Sequence, residues 1–328
     1  MRTRNLGPFE VSAIGLGCMS MSHAYGKPDD EESAQVLHRA LDLGYSMLDS
    51  AALYGFGKNE ILIGKTLKER RNEFTLASKC GVFKNAEGRR EINGSPEVLK
   101  RTCEDSLLRL QTDVIDIYYL HRHDPQVPIE ESVGAMGDLV REGKVRSIGL
   151  SEVSAATLRK AHAEHPITAV QTEYSLWTRN AELQVIHACR ELGTAFVAFS
   201  PLARGFLTGK LRDTARLEES DLRLTMPRFR AENFTRNLLL LDEFSRIAVE
   251  VGCTMAQLAL AWILAQGDHI IPIPGTRHLE FVEENAGAVD VVLDTTTVAR
   301  LDQLINQDTV SGPRYNEATQ KEIDTEEF

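Results

Sequence analysis

The stretch that decides the fold is ITAVQTEYSLWTRNAELQVIHACRELGTAFVAFS, residues 167–200. Residues 167–173 are mostly apolar or β-branched and predict a buried strand. Residues 181–192 have apolar side chains at helical spacing, and Gly193 follows where a helix ends in the left-handed conformation. A second apolar run at residues 195–200 predicts another strand. This order predicts two parallel strands joined by a crossover helix.

The same strand-then-helix unit recurs along the chain, eight times in all. Its predicted strands span residues 13–19, 46–50, 74–79, 114–121, 145–151, 167–173, 195–200 and 269–273. Eight units of this size predict an α/β fold in which the sheet closes into a (β/α)8 TIM barrel. Because no linker and no second core interrupt the series, residues 1–328 are predicted to form a single domain.

Three segments lie outside the repeat. A β-hairpin is predicted around Gly7-Pro8, before the first unit, and an extra C-terminal helix at residues 295–305. The loop at residues 203–236 is long enough to predict a functional role. The polar tail from residue 306 is expected to be mobile near its end.

Composition narrows the classes of partner. The formal net charge of -11 gives the chain no general attraction to nucleic acid or to an anionic membrane. Its five cysteines are scattered and form no C-x-x-C pair, as expected for reduced thiols. The first residues lack the apolar core of a signal peptide, and no helical apolar stretch reaches the ~20 residues of a membrane span. We therefore expect a cytoplasmic protein with a small-molecule partner, compatible with a homo-oligomer.

Polar side chains gather where three successive predicted strands end. Asp49 ends the second strand, Lys79 the third and His121 the fourth, and Tyr54 follows the second strand. Each alone also fits a structural role, such as a helix cap, a rim ion pair, a core histidine or a half-buried aromatic ring. Active sites of such barrels lie at the carboxyl ends of the strands, so the four together predict an active site.

This set of side chains suits proton delivery to a carbonyl group. An ammonium beside a phenol favours the phenolate and lowers its pKa, so Lys79 is expected to bring the pKa of Tyr54 toward neutrality. Asp49 would keep Lys79 charged, and His121 would orient the carbonyl oxygen. No residue in the sequence is a hydride donor, so a cofactor must supply the hydride.

At these residues the chain resembles the aldo-keto reductase family. The similarity lies in LDSAALYGFGKNE (48–60), LASKCG (76–81) and DIYYLHRHD (116–124), and continues through GLSEV (149–153), QTEYSLW (171–177), FSPLARGFLTGK (199–210) and PIPGTRHLEFVEENAGA (272–288). The resemblance implies reduction of an aldehyde or ketone with NADPH, with Asp49, Tyr54, Lys79 and His121 as the catalytic tetrad and Tyr54 as the acid. It is greatest toward a subgroup that includes plant and microbial NADPH-dependent aldehyde and ketone reductases.

The resemblance also implies which residues hold NADPH. They are Cys18 and Met19 near the nicotinamide, Ser151 and Gln171 at its carboxamide, Phe199 under its ring, Ser200, Leu202, Gly205 and Lys210 around the pyrophosphate, Gly275, Thr276 and Arg277 in the last phosphate loop, and Phe281, Glu284 and Asn285 near the adenosine. Three positions depart from the family pattern. Glu152 stands where many members have Asn, Gly275 where many have Lys, and Phe281 where Arg is common.

Six loop residues are candidates for the substrate pocket: Tyr25, Phe56, Phe83, Arg122, His123 and Trp177. Most are aromatic or apolar, which favours a nonpolar or aromatic carbonyl compound.

Two alternative functions remain open at this point. One is an NADPH-binding regulatory or redox-sensing subunit, since some relatives bind NADPH tightly and modulate a membrane partner. The other is a metal-dependent barrel hydrolase, because His121 and His123 form an H-x-H pair at a strand end. The hydrolase leaves Tyr54, Lys79 and the phosphate loop without a role, and no metal is expected.

Overall fold

The chain begins with a β-hairpin that covers one end of the barrel. In the computed structural model, which describes residues 1–84 and 90–328, β1 (Thr3–Leu6) pairs antiparallel with β2 (Phe9–Ser12). Leu6 and Val11 are fully buried and join the cluster of side chains inside the barrel, which includes Met47, Ile117 and Val197. The hairpin thus closes the amino end of the strands and leaves the carboxyl end as the entrance.

Eight parallel strands form the barrel wall, as predicted. They are β3 (Leu16–Gly17), β4 (Met47–Asp49), β5 (Thr75–Cys80), β8 (Ile115–Leu120), β9 (Val145–Ser151), β10 (Ala169–Glu173), β11 (Ala195–Phe199) and β12 (Ile270–Ile273), hydrogen-bonded in this chain order. The Gly17 backbone N–H donates to Pro274 O at 3.1 Å and closes the last strand on the first. The predicted (β/α)8 TIM barrel is confirmed.

Helices cover the outside of the barrel. They are α1 (Asp30–Asp42), α2 (Lys58–Leu67), α3 (Pro96–Leu110), α4 (Ile129–Arg141), α5 (Ala155–Glu164), α6 (Val185–Leu192), α7 (Ala231–Leu238), α8 (Leu240–Val251), α9 (Met255–Ala265), α10 (Leu279–Ala286), α11 (Thr295–Leu304) and α12 (Glu317–Gln320). Local chemistry sets their ends. The Thr254 and Gln257 side chains form a capping box at the start of α9, and Gly193 ends α6 with φ 67°.

Three segments differ from the sequence-based expectation. A second hairpin, β6 (Val82–Lys84) and β7 (Arg90–Ile92), follows the third barrel strand. The long loop after β11 is built of short 3-10 turns and α7 rather than irregular chain. The tail, expected to be mobile near its end, is packed against the barrel, where the Ala155 N–H donates to Glu326 Oε1 at 2.8 Å.

Within residues 1–84 and 90–328, no single helix has the length and apolarity of a membrane span. One pair of helices, 231–251 with 255–265, meets this criterion by length and composition alone when the two are taken together, but the pair is bent by 81° at the break.

Candidate active site

A single deep cleft opens at the carboxyl end of the strands. Its volume is about 760 Å³. Strand ends form its floor, the loop after β11 and the start of α10 form one side, and the tail around α12 forms the other. Its size and position are those of a cofactor and substrate site in this barrel architecture.

Lys79 lies fully buried beneath the cleft floor, and its ammonium has three partners. Its Nζ donates to Asp49 Oδ1 at 2.5 Å, to Ser50 O at 2.7 Å and to the Tyr54 hydroxyl at 3.2 Å. Burial by itself would lower the pKa of Lys79, but attraction to Asp49 and Tyr54 raises it above its ordinary value. The lysine is therefore charged, and all three of its protons are used.

Asp49 links Lys79 to Gln171 through its two carboxylate oxygens. Its Oδ2 accepts from Gln171 Nε2 at 2.6 Å, while its Oδ1 accepts from Lys79. The carboxylate is only 2 % exposed, so its negative charge is balanced by these two donors rather than by water. We call Asp49, Tyr54 and Lys79 the strand-end cluster.

The turn that carries Tyr54 is held in an unusual backbone conformation. Gly55, Phe56 and Gly57 follow it with φ of 56°, 53° and 89°. Glycine suits such angles, and a Cβ at Gly57 would lie 2.6 Å from the Arg109 side chain. The turn projects the Tyr54 ring over Lys79, whose Nζ is 4.8 Å from the ring centroid.

Tyr54 differs from its expectation in one respect. Burial raises the pKa of Tyr54 above its ordinary value, although Lys79 acts in the opposite direction. The expected shift toward neutrality is therefore wrong here, because desolvation of the phenolate outweighs the ammonium. The hydroxyl stays protonated at neutral pH. Because its oxygen accepts from Lys79, its proton is free to be donated into the cleft.

His121 stands beside Tyr54 on the cleft wall. The two rings meet edge to face with centroids 5.9 Å apart. Burial, then the positive charges of Arg122 and Lys79, lowers the pKa of His121 well below its ordinary value. The imidazole is neutral at neutral pH, and its Nδ1 is buried without a partner among the described residues. A neutral imidazole can donate one N–H to a carbonyl oxygen.

The residues expected to hold NADPH line the cleft, with one exception. Those on its surface are Met19, Ser151, Gln171, Phe199, Ser200, Leu202, Gly205, Lys210, Gly275, Thr276, Arg277, Phe281, Glu284 and Asn285. Cys18 is the exception. Its side chain is fully buried behind the wall, and its Sγ is 3.7 Å from Leu16 O. The short β3 turns this residue inward and leaves Met19 as the exposed neighbour.

One end of the cleft has the chemistry of a phosphate site. Arg277 lies at the start of α10, with its Nη1 donating to Lys27 O at 2.8 Å and no carboxylate partner among the described residues. Lys210 lies 3.9 Å above the Phe281 ring and 3.6 Å from Glu284. Two cations beside a helix N-terminus favour an anion, so the residues present fit the phosphates of a dinucleotide.

Glu152, the position where many family members have Asn, is turned away from the nicotinamide position. Its Oε1 accepts from Arg314 Nη2 at 2.7 Å and from the Glu173 backbone N–H at 2.8 Å. Ser151 and Gln171 remain on the cleft surface. The amide contact that Asn would give is replaced by an ion pair to the tail.

That ion pair belongs to a second buried group of charges, which we call the tail cluster: Glu152, Glu173, Arg204, Arg314 and Tyr315. Glu173 Oε2 accepts from Arg204 at 2.7 Å, Tyr315 at 3.1 Å and Arg314 at 3.2 Å. Burial alone would raise the pKa of Glu173, but Arg204 and Arg314 lower it to about 2. The cluster fastens the tail over the barrel mouth.

Of the six substrate candidates, only Tyr25 and Arg122 line the cleft. Phe56 is 54 % exposed and stacks under Lys84 outside the cleft. Trp177 is buried in the core, with its ring stacked 4.2 Å from Phe206. Phe83 and His123 are half-buried, also off the cleft surface. These four side chains do not line the cleft, since a loop position in sequence does not tell which way the side chain points, and a substrate role for them stays a prediction.

The cleft also has walls that sequence reasoning missed. They include His23, Arg90, Arg204, Arg223, Tyr315 and Glu322. They come from the first loop, the second hairpin, the long loop and the tail. The long loop's arginine content was the only signal for any of them, and nothing in the sequence linked it to the tail.

No metal centre is apparent where the structure is described. Residues 1–84 and 90–328 contain no group of three or more His, Cys, Asp or Glu side chains arranged to hold a metal ion. His121 faces the cleft and His123 does not, so the H-x-H pair does not converge on one point.

Comparisons with known proteins agree with this geometry. The model of the aldo/keto reductase family matches residues 13–306. The aldo-keto reductase yakc [NADP(+)] of Schizosaccharomyces pombe is 44% identical over 319 residues, covering 95% of this chain and 94% of that protein. Probable aldo-keto reductase 1 of Glycine max is 43% identical, over 94% of this chain and 89% of that protein.

Solved structures of the same architecture superpose over most of the chain. The glycerol dehydrogenase AKR11B4 of Gluconobacter oxydans has a TM-score of 0.86 at 28% identity, over 95% of this chain and 97% of that one. An aldo-keto reductase of Klebsiella pneumoniae in complex with NADPH has a TM-score of 0.75 at 27% identity, over 96% and 98%. The family model spans most of the chain and the relatives share more than two-fifths of its residues. The chain therefore belongs to the aldo/keto reductase family.

Proposed function

We propose that this protein is an NADPH-dependent reductase of small aldehydes or ketones. The observation that carries the proposal is the buried Lys79, which contacts both Asp49 and the Tyr54 hydroxyl at the floor of the cleft. The NADP(+) in the name of the fission-yeast relative and the NADPH in the Klebsiella complex support the choice of cofactor.

Tyr54 is the proposed proton donor. It is a neutral phenol at neutral pH, and it faces the cleft with its proton unused by any described residue. Lys79 favours the phenolate that remains after the proton leaves, because its positive charge is held against the phenol oxygen. Asp49 keeps that lysine charged and in place. The proton of Tyr54 thus goes to the carbonyl oxygen as an alkoxide charge develops there.

His121 is the proposed orienting group. Its neutral imidazole can hold the carbonyl oxygen beside the Tyr54 hydroxyl, since the two rings share one wall. The carbonyl carbon would accept its hydride from NADPH when the cofactor is bound. Gln171 and Ser151 would hold the carboxamide of the nicotinamide and Phe199 would lie against its ring, because all three line the cleft beside Asp49.

A few residues would share the contacts to the phosphates of NADPH. Arg277 and the N-terminus of α10 would bind the phosphate on the adenosine ribose, and Lys210 the pyrophosphate. Gly205 keeps a φ of 90° and allows the loop after β11 to pass close to the cofactor.

The test is turnover of an aromatic aldehyde, followed by loss of NADPH absorbance, in the wild type and in Tyr54→Phe. General acid catalysis contributes typically about 10²–10⁴-fold, so Tyr54→Phe is expected to lose that much in kcat while its Kd for NADPH stays within about twofold. Tyr45→Phe is the matched control. Tyr45 is equally buried but donates to Val282 O at 3.0 Å, outside the cleft.

Near wild-type turnover by Tyr54→Phe would exclude Tyr54 as the acid. Very slow turnover by the wild type, with NADPH retained through purification, would instead indicate the regulatory or redox-sensing subunit.

A further inference from the structure

Among the residues that the structure describes, four arginines line the cleft away from its phosphate end, and three of them are paired with a carboxylate. Arg90 pairs with Glu322, Arg204 with Glu173 at 2.7 Å, and Arg223 with both oxygens of Asp221 at 2.7–2.9 Å. The fourth, Arg122, has no carboxylate partner among the described residues.

Among the described residues, the hydrogen-bond partners of Arg122 are a backbone oxygen and a hydroxyl group. Its Nη1 donates to His121 O at 2.6 Å and lies 3.4 Å from Ser151 Oγ. Its Nε is buried and bonds to nothing in the described part of the chain. A buried guanidinium nitrogen without a partner is costly, so its retention at the cleft wall needs an acceptor.

The position of Arg122 also matters. It follows His121, the residue proposed to orient the carbonyl, and both line the cleft. Among the described residues, no carboxylate balances the positive charge of Arg122, which lies next to the place where the carbonyl group would react.

We propose that Arg122 binds a carboxylate carried by the substrate, so that the preferred substrates are small carbonyl compounds with an acidic group. This proposal rests on the proposed reductase function. Guanidinium and carboxylate match in geometry as well as charge, and one such charge-assisted contact is expected to favour the acidic substrate about tenfold to a hundredfold.

The experiment compares 4-formylbenzoate with its methyl ester, two aldehydes that differ in the negative charge and in one methyl group. The wild type is expected to show a kcat/KM ratio of about ten to a hundred in favour of the acid. In Arg122→Met that ratio should fall to about one, mainly through KM of the acid, while KM of the ester and the Kd of NADPH change little. Arg122→Lys should keep part of the preference.

Arg90→Met is the matched control, because it removes one positive charge from the same cleft. Arg90 is already paired with Glu322, so the acid-to-ester ratio should persist in that variant. A fall of the ratio equal to that in Arg122→Met would mean that net charge alone, not a contact with Arg122, is responsible, and would overturn the proposal.

Other outcomes distinguish failure of the proposed role of Arg122 from failure of the proposed reductase function. An ester that is turned over as well as the acid by the wild type would overturn the role of Arg122 and leave the reductase intact. Weaker NADPH binding in Arg122→Met, with both aldehydes equally affected, would assign Arg122 to the cofactor carboxamide instead.

If neither aldehyde reacts, the reductase function fails, and binding of benzoate against benzamide by calorimetry decides the site. Benzoate binding that is abolished in Arg122→Met supports the site. Equal binding of the two compounds, or none, overturns it.

Discussion

Two buried clusters of charged side chains lie at the barrel mouth, and they have different roles. The strand-end cluster places one ammonium between a carboxylate and a phenol, and leaves the phenol proton facing the cleft. The tail cluster surrounds the Glu173 carboxylate with two guanidinium groups and a hydroxyl. The first keeps one group free to react, whereas the second uses its groups to hold the chain.

The difference comes from what carries the residues. Asp49, Lys79 and the turn of Tyr54 belong to adjacent barrel strands, which fix their spacing through backbone hydrogen bonds. Arg204 belongs to the loop after β11 and Arg314 to the tail, so ion pairs and hydrogen bonds of their side chains, rather than strand pairing, position them. We expect that breaking the strand-end cluster lowers catalytic turnover. Breaking the tail cluster should instead loosen the packing of the tail.

The largest effect is expected from Lys79→Met. It removes the charge that favours the Tyr54 phenolate and leaves Asp49 buried without its cation. We expect kcat to fall about 10²–10⁴-fold and the free energy of unfolding to fall by about 3–5 kcal/mol. Steady-state kinetics and urea unfolding measure the two. A folded variant with wild-type kcat would show that the lysine is only structural.

Arg314→Met is the corresponding break in the tail cluster. It leaves Glu152 and Glu173 with less compensation, at a cost of about 3 kcal/mol or more. Because the cost falls on the tail, amide exchange in residues 306–328 should accelerate while the barrel strands keep their protection. We expect kcat to change only a few-fold. As the control, Arg300→Met breaks exposed pairs with Glu243 and Glu250 and should change the free energy of unfolding little.

The pH dependence of stability tests Glu173. Arg204 and Arg314, acting against burial, lower its pKa from 4.5 to about 2 in the folded protein. Its stabilising contribution is therefore complete above pH 4.5 and is lost as the pH falls toward 2. The free energy of unfolding of the wild type should exceed that of Glu173→Gln by about 3 kcal/mol near pH 7. This difference should narrow as the pH falls. Urea unfolding of both proteins at about six pH values measures this difference. A difference that stays constant from pH 6 to pH 3 would contradict the assigned role of Glu173.

Arg277 extends the comparison to an arginine outside both clusters. Unlike Arg314, it hydrogen-bonds among the described residues only to a backbone oxygen, Lys27 O, so its charge is available to a ligand. We expect a preference for NADPH over NADH of about tenfold to a hundredfold, lost in Arg277→Ala. The ratio of kcat/KM for the two cofactors measures it. A preference that survives the substitution would move the phosphate contact to Thr276 or Lys210.

Much of the site followed from sequence because strand ends are predictable. Asp49, Lys79 and His121 each end an apolar run, and parallel strands bring such ends to one face. The pKa direction of Tyr54 did not follow, since it depends on how completely the ring is buried. That Phe56 and Trp177 lie off the cleft surface did not follow either, because periodicity does not fix side-chain direction in loops.

The sequence by itself determined the barrel, the identity of the cleft-floor residues and the family, since these depend on local apolar patterning and on short motifs. Only the tertiary structure decided that Glu152 turns to Arg314, that the tail closes over the mouth and that Arg122 has no carboxylate partner among the described residues. Those contacts join Glu152 and Arg314, which are 162 residues apart. Their formation depends on loop paths and on competition among several charges for few partners, neither of which is encoded in any one segment.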